Sequence, residues 1–322
     1  KKKSVSLFVG LFMSLATIVS AATLARAFGG YLQSASGLNI GIGAIIVILA
    51  FGLLASWGIA ESAKVFAAHT IIEIIGLLII VWFGRSFLAT AVSHPGPMFD
   101  ISAVGFGGLM SGVFLAFYAY IGIEDMVHLS EETKKSRFTM PLAIALAVVI
   151  STLLYFLISV VAINAIPVNE LQNSAAPLSL VYDKITDSPG WIIVLIALTA
   201  SAGGVLAHII SGSRLLYGMA EAGWINKRLA VVHESRKTPG LAIALVVVLS
   251  AALAFFVGLT ALATITSFLI LSIFLLVNVS LAYLKLKKVR SKQSQLSVPM
   301  IIPIFGALSC LILLVLQIIH LV

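Results

Sequence analysis

The sequence predicts an all-α membrane protein of about nine transmembrane helices, and three observations point to it. First, 61% of the residues are hydrophobic and 10% charged. With a mean hydropathy of +1.15, the chain is too apolar for a soluble domain. Second, the apolar residues come in runs long enough to cross a bilayer, which takes roughly 17 to 25 residues per helix. Third, the charges fall mostly in short connections between these runs. The net charge of +8 and pI near 9.6 are therefore a topology signal, and a nucleic-acid-binding groove is excluded.

The first run, Val5 to Ala25, follows Lys1-Lys2-Lys3. A basic start before an apolar stretch resembles a signal peptide, but this run is long enough to span and many further spans follow. The next runs are Ile40 to Ala60, Val65 to Leu88, and Val104 to Leu129, the last interrupted by Gly122. Pro141 to Ile163, Trp191 to Ala220, Leu241 to Val257, Ala261 to Leu284 and Pro299 to Leu321 complete the set. Ser93 to Asp100 and Asn164 to Gly190 are the long external connections, rich in Pro, Ser, Asn and Asp. Glu221 to Gly240 is internal and reads either as a short interfacial helix or as a solvated basic loop.

With Lys1 to Lys3 in the cytoplasm, sixteen Lys and Arg residues fall inside. Only Arg26, Arg85 and Lys184 fall outside, and Arg214 sits in the last turns of a helix. That asymmetry fixes the orientation. The single cysteine, Cys310, lies in an apolar run, so it excludes an intrachain disulfide and a cysteine metal cluster.

The stretch from Phe114 to Ile144 stands apart, because it passes from apolar helix to glycine, then to Glu124 and Asp125, then to basic residues. Lipid cannot satisfy free backbone groups, so a break at Gly122 has to face protein or a water-filled cavity. A half-helix starting there would present N–H groups and a positive dipole end to an anionic group such as a carboxylate. An intact helix with a packing glycine is the alternative. Gly108 and Gly112, four residues apart, suit close helix packing and carry no ligand role.

Tyr118-Ala119-Tyr120-Ile121-Gly122-Ile123-Glu124 is followed by Leu129-Ser130-Glu131-Glu132, Lys134-Lys135-Ser136-Arg137 and Met140-Pro141-Leu142-Ala143-Ile144. This order resembles the sixth helix and following loop of amino-acid permeases of the amino acid-polyamine-organocation superfamily. Ser213-Arg214-Leu215-Leu216-Tyr217-Gly218-Met219-Ala220, with Gly223-Trp224 and Thr238-Pro239, resembles the end of the family's eighth helix. The resemblance implies a leucine-transporter-like helical bundle with a five-plus-five inverted repeat. It runs from the family's third helix to its eleventh across residues 1–322, a single transmembrane domain that lacks the first two helices and the last. The chain is accordingly expected to be a fragment or a natural remnant.

The resemblance also implies that Tyr118, Ala119, Tyr120, Ile121, Gly122 and Ile123 line the substrate site, with Tyr118 the aromatic that closes over substrate. Glu124 matches an acidic position just below the unwound segment, where it either couples protonation to conformation or caps the half-helix; Asp125 reads as a solvated cap. Glu73, flanked by Ile71, Ile72, Ile74 and Ile75, lies roughly 13 to 14 Å beyond Lys64, near mid-membrane. His69, one turn away on the same face, can pair with it. Glu73 is read as a protonation switch, against a fixed structural bond as the alternative. Some proton-coupled relatives carry a lysine in this helix, and a glutamate here puts transfer of that lysine mechanism in doubt.

Ser201 has no evident second oxygen beside His208, which disfavours sodium coupling relative to protons or exchange. Arg214 reads as a structural anchor. His233-Glu234 begins a zinc-protease pattern, but Lys237 stands at the second histidine position, so no such site exists. No enzyme motif, metal site or cofactor is expected. The implied function is secondary active uptake or exchange of an amino acid or amine. Its partners are that solute, protons and the lipid bilayer, and the location is the plasma membrane. A transport-incompetent binding or scaffold protein is the competing class.

Overall fold

A computed structural model of the chain describes residues 3–58, 63–93, 105–123, 136–287 and 298–321. Among these residues the elements are all helical: α1 Lys3–Ser36, α2 Ile40–Ser56, α3 Ala63–Phe83, α4 Arg85–Ser93, α5 Gly105–Phe117 and α6 Ser136–Ala165. They continue with α7 Val168–Asn173, α8 Pro177–Thr186, α9 Trp191–Glu221, α10 Gly240–Phe256, α11 Leu259–Leu286 and α12 Ile301–Leu321. Each of the nine expected spans coincides with a helix over part of its described residues, while positions 59–60 of the second and 104 and 124–129 of the fourth lie outside those residues. Five helices are long and apolar enough to cross a membrane, a bent pair makes a sixth, and three shorter apolar helices cover the remainder. The shorter α2 and α10, 17 residues each, reach about 26 Å at 1.5 Å per residue, close to the thickness of the hydrocarbon layer.

The chain divides into two compact units. One comprises Lys1–Phe99 and Leu154–Ala263, the other Asp100–Leu153 and Thr264–Val322. The first is built on α1 and α9, which pack on each other and on α2 and α10. Small residues make this possible: Ala16, Ala21, Ala22 and Ala25 of α1 are at most 2% exposed, and small faces let helix axes approach closely where lipid offers no hydrophobic drive. Three of the buried hydroxyls on α1, those of Ser14, Thr17 and Thr23, are satisfied within the helix. Ser14 donates to the Gly10 carbonyl at 2.9 Å, and Thr23 to that of Val19 at 2.8 Å. Between helices, Ser250 of α10 donates to the Ile18 carbonyl at 2.9 Å. A second core joins Ile80, Val161, Val181 and Ile193 from α3, α6, α8 and α9.

The other unit packs α5 against α11 and α12 through Phe114, Leu271, Cys310 and Leu314. Cys310 is a buried packing residue here, as its place in an apolar run implies.

The structure refines the sequence reading at several boundaries and connections. The first span ends at Ser36 rather than Ala25, so Arg26 is no loop residue. It lies within α1 and donates from Nη1 to the Ala254 carbonyl at 2.9 Å. The third span is broken by a 57° bend at Gly84. The Arg85 guanidinium donates to the Trp82 carbonyl at 3.0 Å and stacks 5.3 Å from the Trp82 ring, capping the end of α3. The fifth span begins at Ser136, ahead of Pro141, because a proline early in a helix costs only one backbone bond. The connection 164–190 holds the short helices α7 and α8. The internal connection after α9 carries one 3-10 turn, Lys227–Ala230, opened by an Asn226 side-chain cap on Arg228 N at 3.0 Å.

Candidate functional site

The expected break in the fourth span is present and begins earlier than the glycine. α5 stops at Phe117, Tyr118–Tyr120 tighten into a 3-10 turn, and Ile121 is extended with φ −67° and ψ 140°. Gly122 then adopts φ +109°, a conformation that side chains rarely tolerate. A Cβ there would meet no atom of the described residues within 4 Å, so among them the backbone angle is what demands glycine.

The segment before the break is firmly held. Phe114 is 1% exposed, and Phe117 meets Phe274 of α11 edge-on, with centroids 6.0 Å apart. The Tyr120 hydroxyl lies 3.0 Å from Thr152 Oγ1, which itself donates to the Val148 carbonyl at 2.7 Å. Tyr120 is therefore the donor and ties the turn to α6. Tyr118, Ile121, Gly122 and Ile123 are half-buried, and Ala119 is exposed. Glu124 and Asp125, and any half-helix that starts after the glycine, lie outside the described residues.

The second constellation belongs to the other unit. His69 Nε2 and Glu73 Oε1 of α3 stand 3.3 Å apart, one turn along the helix. The contact lacks hydrogen-bond alignment, for Nε2 is buried without a hydrogen-bond partner. The two groups stand within ion-pair distance, which makes an ion pair only when the imidazole is protonated. The His69 side chain is 18% exposed and that of Glu73 36%. The imidazole lies against α9 at Gly203, where a Cβ would come 2.4 Å from Cε1 and 2.7 Å from Nδ1. Together with Phe51, Ile72 and Thr199, His69 and Gly203 line a mostly apolar cavity of about 510 Å³.

The structure does not join the other polar residues into that group. The Ser201 hydroxyl donates to the Ala197 carbonyl at 2.7 Å within α9. His208 Nε2 is 3.0 Å from Ser20 Oγ of α1, a partner that sequence reasoning missed. The two residues are separated by 188 positions, and no local spacing could have paired them. Arg214 lines a cavity at the end of α2 with Arg236 and Lys237.

Set beside known proteins, the whole pattern has company. Similarity extends to the branched-chain amino acid permease BcaP of Bacillus subtilis, 28% identical over 76% of this chain and 52% of that protein. It extends also to cationic amino acid transporter 4 of Mus musculus, 26% identical over 87% of this chain and 47% of that protein. The methylthioribose transporter of B. subtilis is 26% identical over 86% of this chain and 59% of its own length. The chain spans about half the length of the curated relatives it matches. The sequence profile of the amino acid permease family matches residues 2–322. With its apolar helices and its helix broken at Tyr118–Gly122, this chain belongs to the amino acid permease family and is a multi-pass integral membrane protein.

Proposed function

We propose that the chain forms a single transport domain over residues 1–322 that moves an amino acid or related amine across the plasma membrane by alternating access. Lys1 to Lys3 then face the cytoplasm. The observation that carries this reading is the backbone break at Tyr118–Gly122 in a chain of the permease family. A helix that stops inside an apolar run does not face lipid there, and irregular backbone of this kind is suited to the carboxylate and amine of a substrate. Tyr118, Ala119, Tyr120, Ile121, Gly122 and Ile123 line the path, and the bond from Tyr120 to Thr152 holds the turn in place. The work is binding and release, without a covalent step, so the domain is a transporter and not an enzyme.

Transport is coupled to protons or runs as exchange. Glu73 supports the proton reading: it is an acid within an apolar helix with a histidine 3.3 Å away and no aligned hydrogen bond between them. Carriage of a proton by Glu73 in one access state and its release in the other needs a partner for the charged form, and His69 supplies it. Glu124 stands one residue beyond the described segment as a second candidate.

The test is uptake in proteoliposomes from pH 5 to 8 with Glu73→Gln. The variant is expected to lose the pH dependence of net uptake while keeping counterflow exchange, which moves no net proton. A Gln variant that keeps the wild-type pH profile but loses thermal stability would assign Glu73 a structural role only. A folded chain that neither takes up nor exchanges amino acids or amines would favour the binding or scaffold reading instead.

A further inference from the structure

Three exposed cationic residues line one cavity in the first unit. Arg214 of α9 and Arg236 and Lys237 of the following connection line a space of about 230 Å³, together with the Ser213 and Thr238 side chains and Gly58. No carboxylate is among the described residues lining it. None of the three cations has an ion pair among the described residues, where His69–Glu73 is the one such contact. Of the acids near it in sequence, Glu221 and Glu234 do not line the cavity, and Glu61, three residues past Gly58, lies outside the described residues. Cationic residues of one sign around a single space favour an anion there.

The walls are built rather than incidental. The Thr238 hydroxyl donates to the Ser56 carbonyl at 3.0 Å, fastening the connection to the end of α2. His233 and Lys237 close a tight turn, with Lys237 N donating to the His233 carbonyl at 2.8 Å and His233 N to that of Thr238 at 2.9 Å. Lys237 sits at φ 56°, a left-handed conformation that a lysine adopts only where its surroundings hold it. An adjoining cavity of about 460 Å³ shares Arg214, Lys237 and Pro239 and adds Tyr217 and Val232. A compact anionic head could enter the first space while a larger, more apolar group occupies the second.

We infer that Arg214, Arg236 and Lys237 form a binding site for a phosphate-bearing anion, separate from the transport path, either a phospholipid headgroup or a free phosphate ester. Guanidinium groups match phosphate oxygens in pairs and the ammonium adds a point charge, while the Ser213 and Thr238 hydroxyls already donate to the Ile210 and Ser56 carbonyls. Basic pockets between membrane helices are suited to anionic headgroups for the same reason.

The experiment uses the purified full chain in a neutral detergent. One arm measures retention of added phosphatidylglycerol against phosphatidylcholine by native mass spectrometry. The other titrates inorganic phosphate and glycerol 3-phosphate without lipid and follows thermal unfolding. Arg214→Gln with Lys237→Gln is expected to weaken the preferred ligand about thirtyfold, from two lost headgroup charges. Lys227→Gln with Arg228→Gln, equal in charge but outside the cavity, is expected to leave it unchanged. Preference in the lipid arm alone identifies a headgroup, and a phosphate-dependent rise in unfolding temperature identifies a free phosphate ester. Should the double variant not fold, Arg236→Gln, a change in an exposed side chain, carries the same test with a smaller loss. Binding in neither arm, or equal loss in the cavity and control variants, would overturn the site.

Discussion

Gly203 and His69 set the finest constraint in the molecule, because the imidazole occupies the place a side chain at Gly203 would take. Gly203→Ala puts a methyl 2.4 Å from Cε1, so it is expected to destabilise the protein by about 1–3 kcal/mol through overpacking and to push His69 away from Glu73. Thermal unfolding of Gly203→Ala, His69→Ala and the double variant checks this. Most of the glycine variant's loss should vanish once His69 is truncated, and additive losses would place the strain elsewhere. Gly122→Ala is a different case: no described neighbour obstructs it, and φ +109° penalises it. A cost of about 1–3 kcal/mol is expected, nearly independent of side-chain size among unbranched residues; a loss that grows steeply from Ala to Leu would contradict an open site. At this scale the sequence reveals local pairs and conceals distant ones. The four-residue spacing of His69 and Glu73 announced their contact, whereas Ser20–His208 and His69–Gly203 join different helices and left no periodic trace.

Among the elements, the apolar runs gave the helices themselves because a bilayer fixes their minimum length, and they gave the ends less well because polar residues are tolerated where another helix receives them. Arg26 is the clearest instance. It reads as the end of a span, yet α1 continues ten residues past it because Ala254 accepts its guanidinium. The bend at Gly84 was silent in sequence; beside it Arg85 folds back onto Trp82 and Val161 of α6 takes the place of a side chain at Gly84. The break at Tyr118–Gly122 was legible, since a glycine before two acids has few other uses within an apolar run, though the 3-10 turn before it was not. The orientation of these elements is testable by labelling. In a Cys310→Ala background, cysteine at Ser235, on the exposed turn after α9, should react with an impermeant maleimide from the cytoplasmic side. Cysteine at Asn173, which is exposed at the end of α7, should react from outside. The reverse pattern would invert the topology.

For the whole molecule, the family assignment and the broken helix support one central claim, that the chain transports amino acids or amines. Solute selectivity is the part the sequence leaves least legible, because it depends on side chains brought together from separate helices. The three relatives described above are named for branched-chain amino acids, cationic amino acids and methylthioribose. A transporter with a bound-state intermediate has to exchange labelled solute against unlabelled solute across a membrane, whatever its coupling ion. The direct measurement is therefore counterflow in proteoliposomes of the purified chain, loaded in turn with leucine, arginine or putrescine and given the same compound in labelled form outside. Transient accumulation of label with at least one of the three is predicted, and Gly122→Pro, which cannot adopt φ +109°, is predicted to abolish it. Folded wild-type protein that accumulates none of them, or a Gly122→Pro variant that exchanges as well as wild type, would contradict the account.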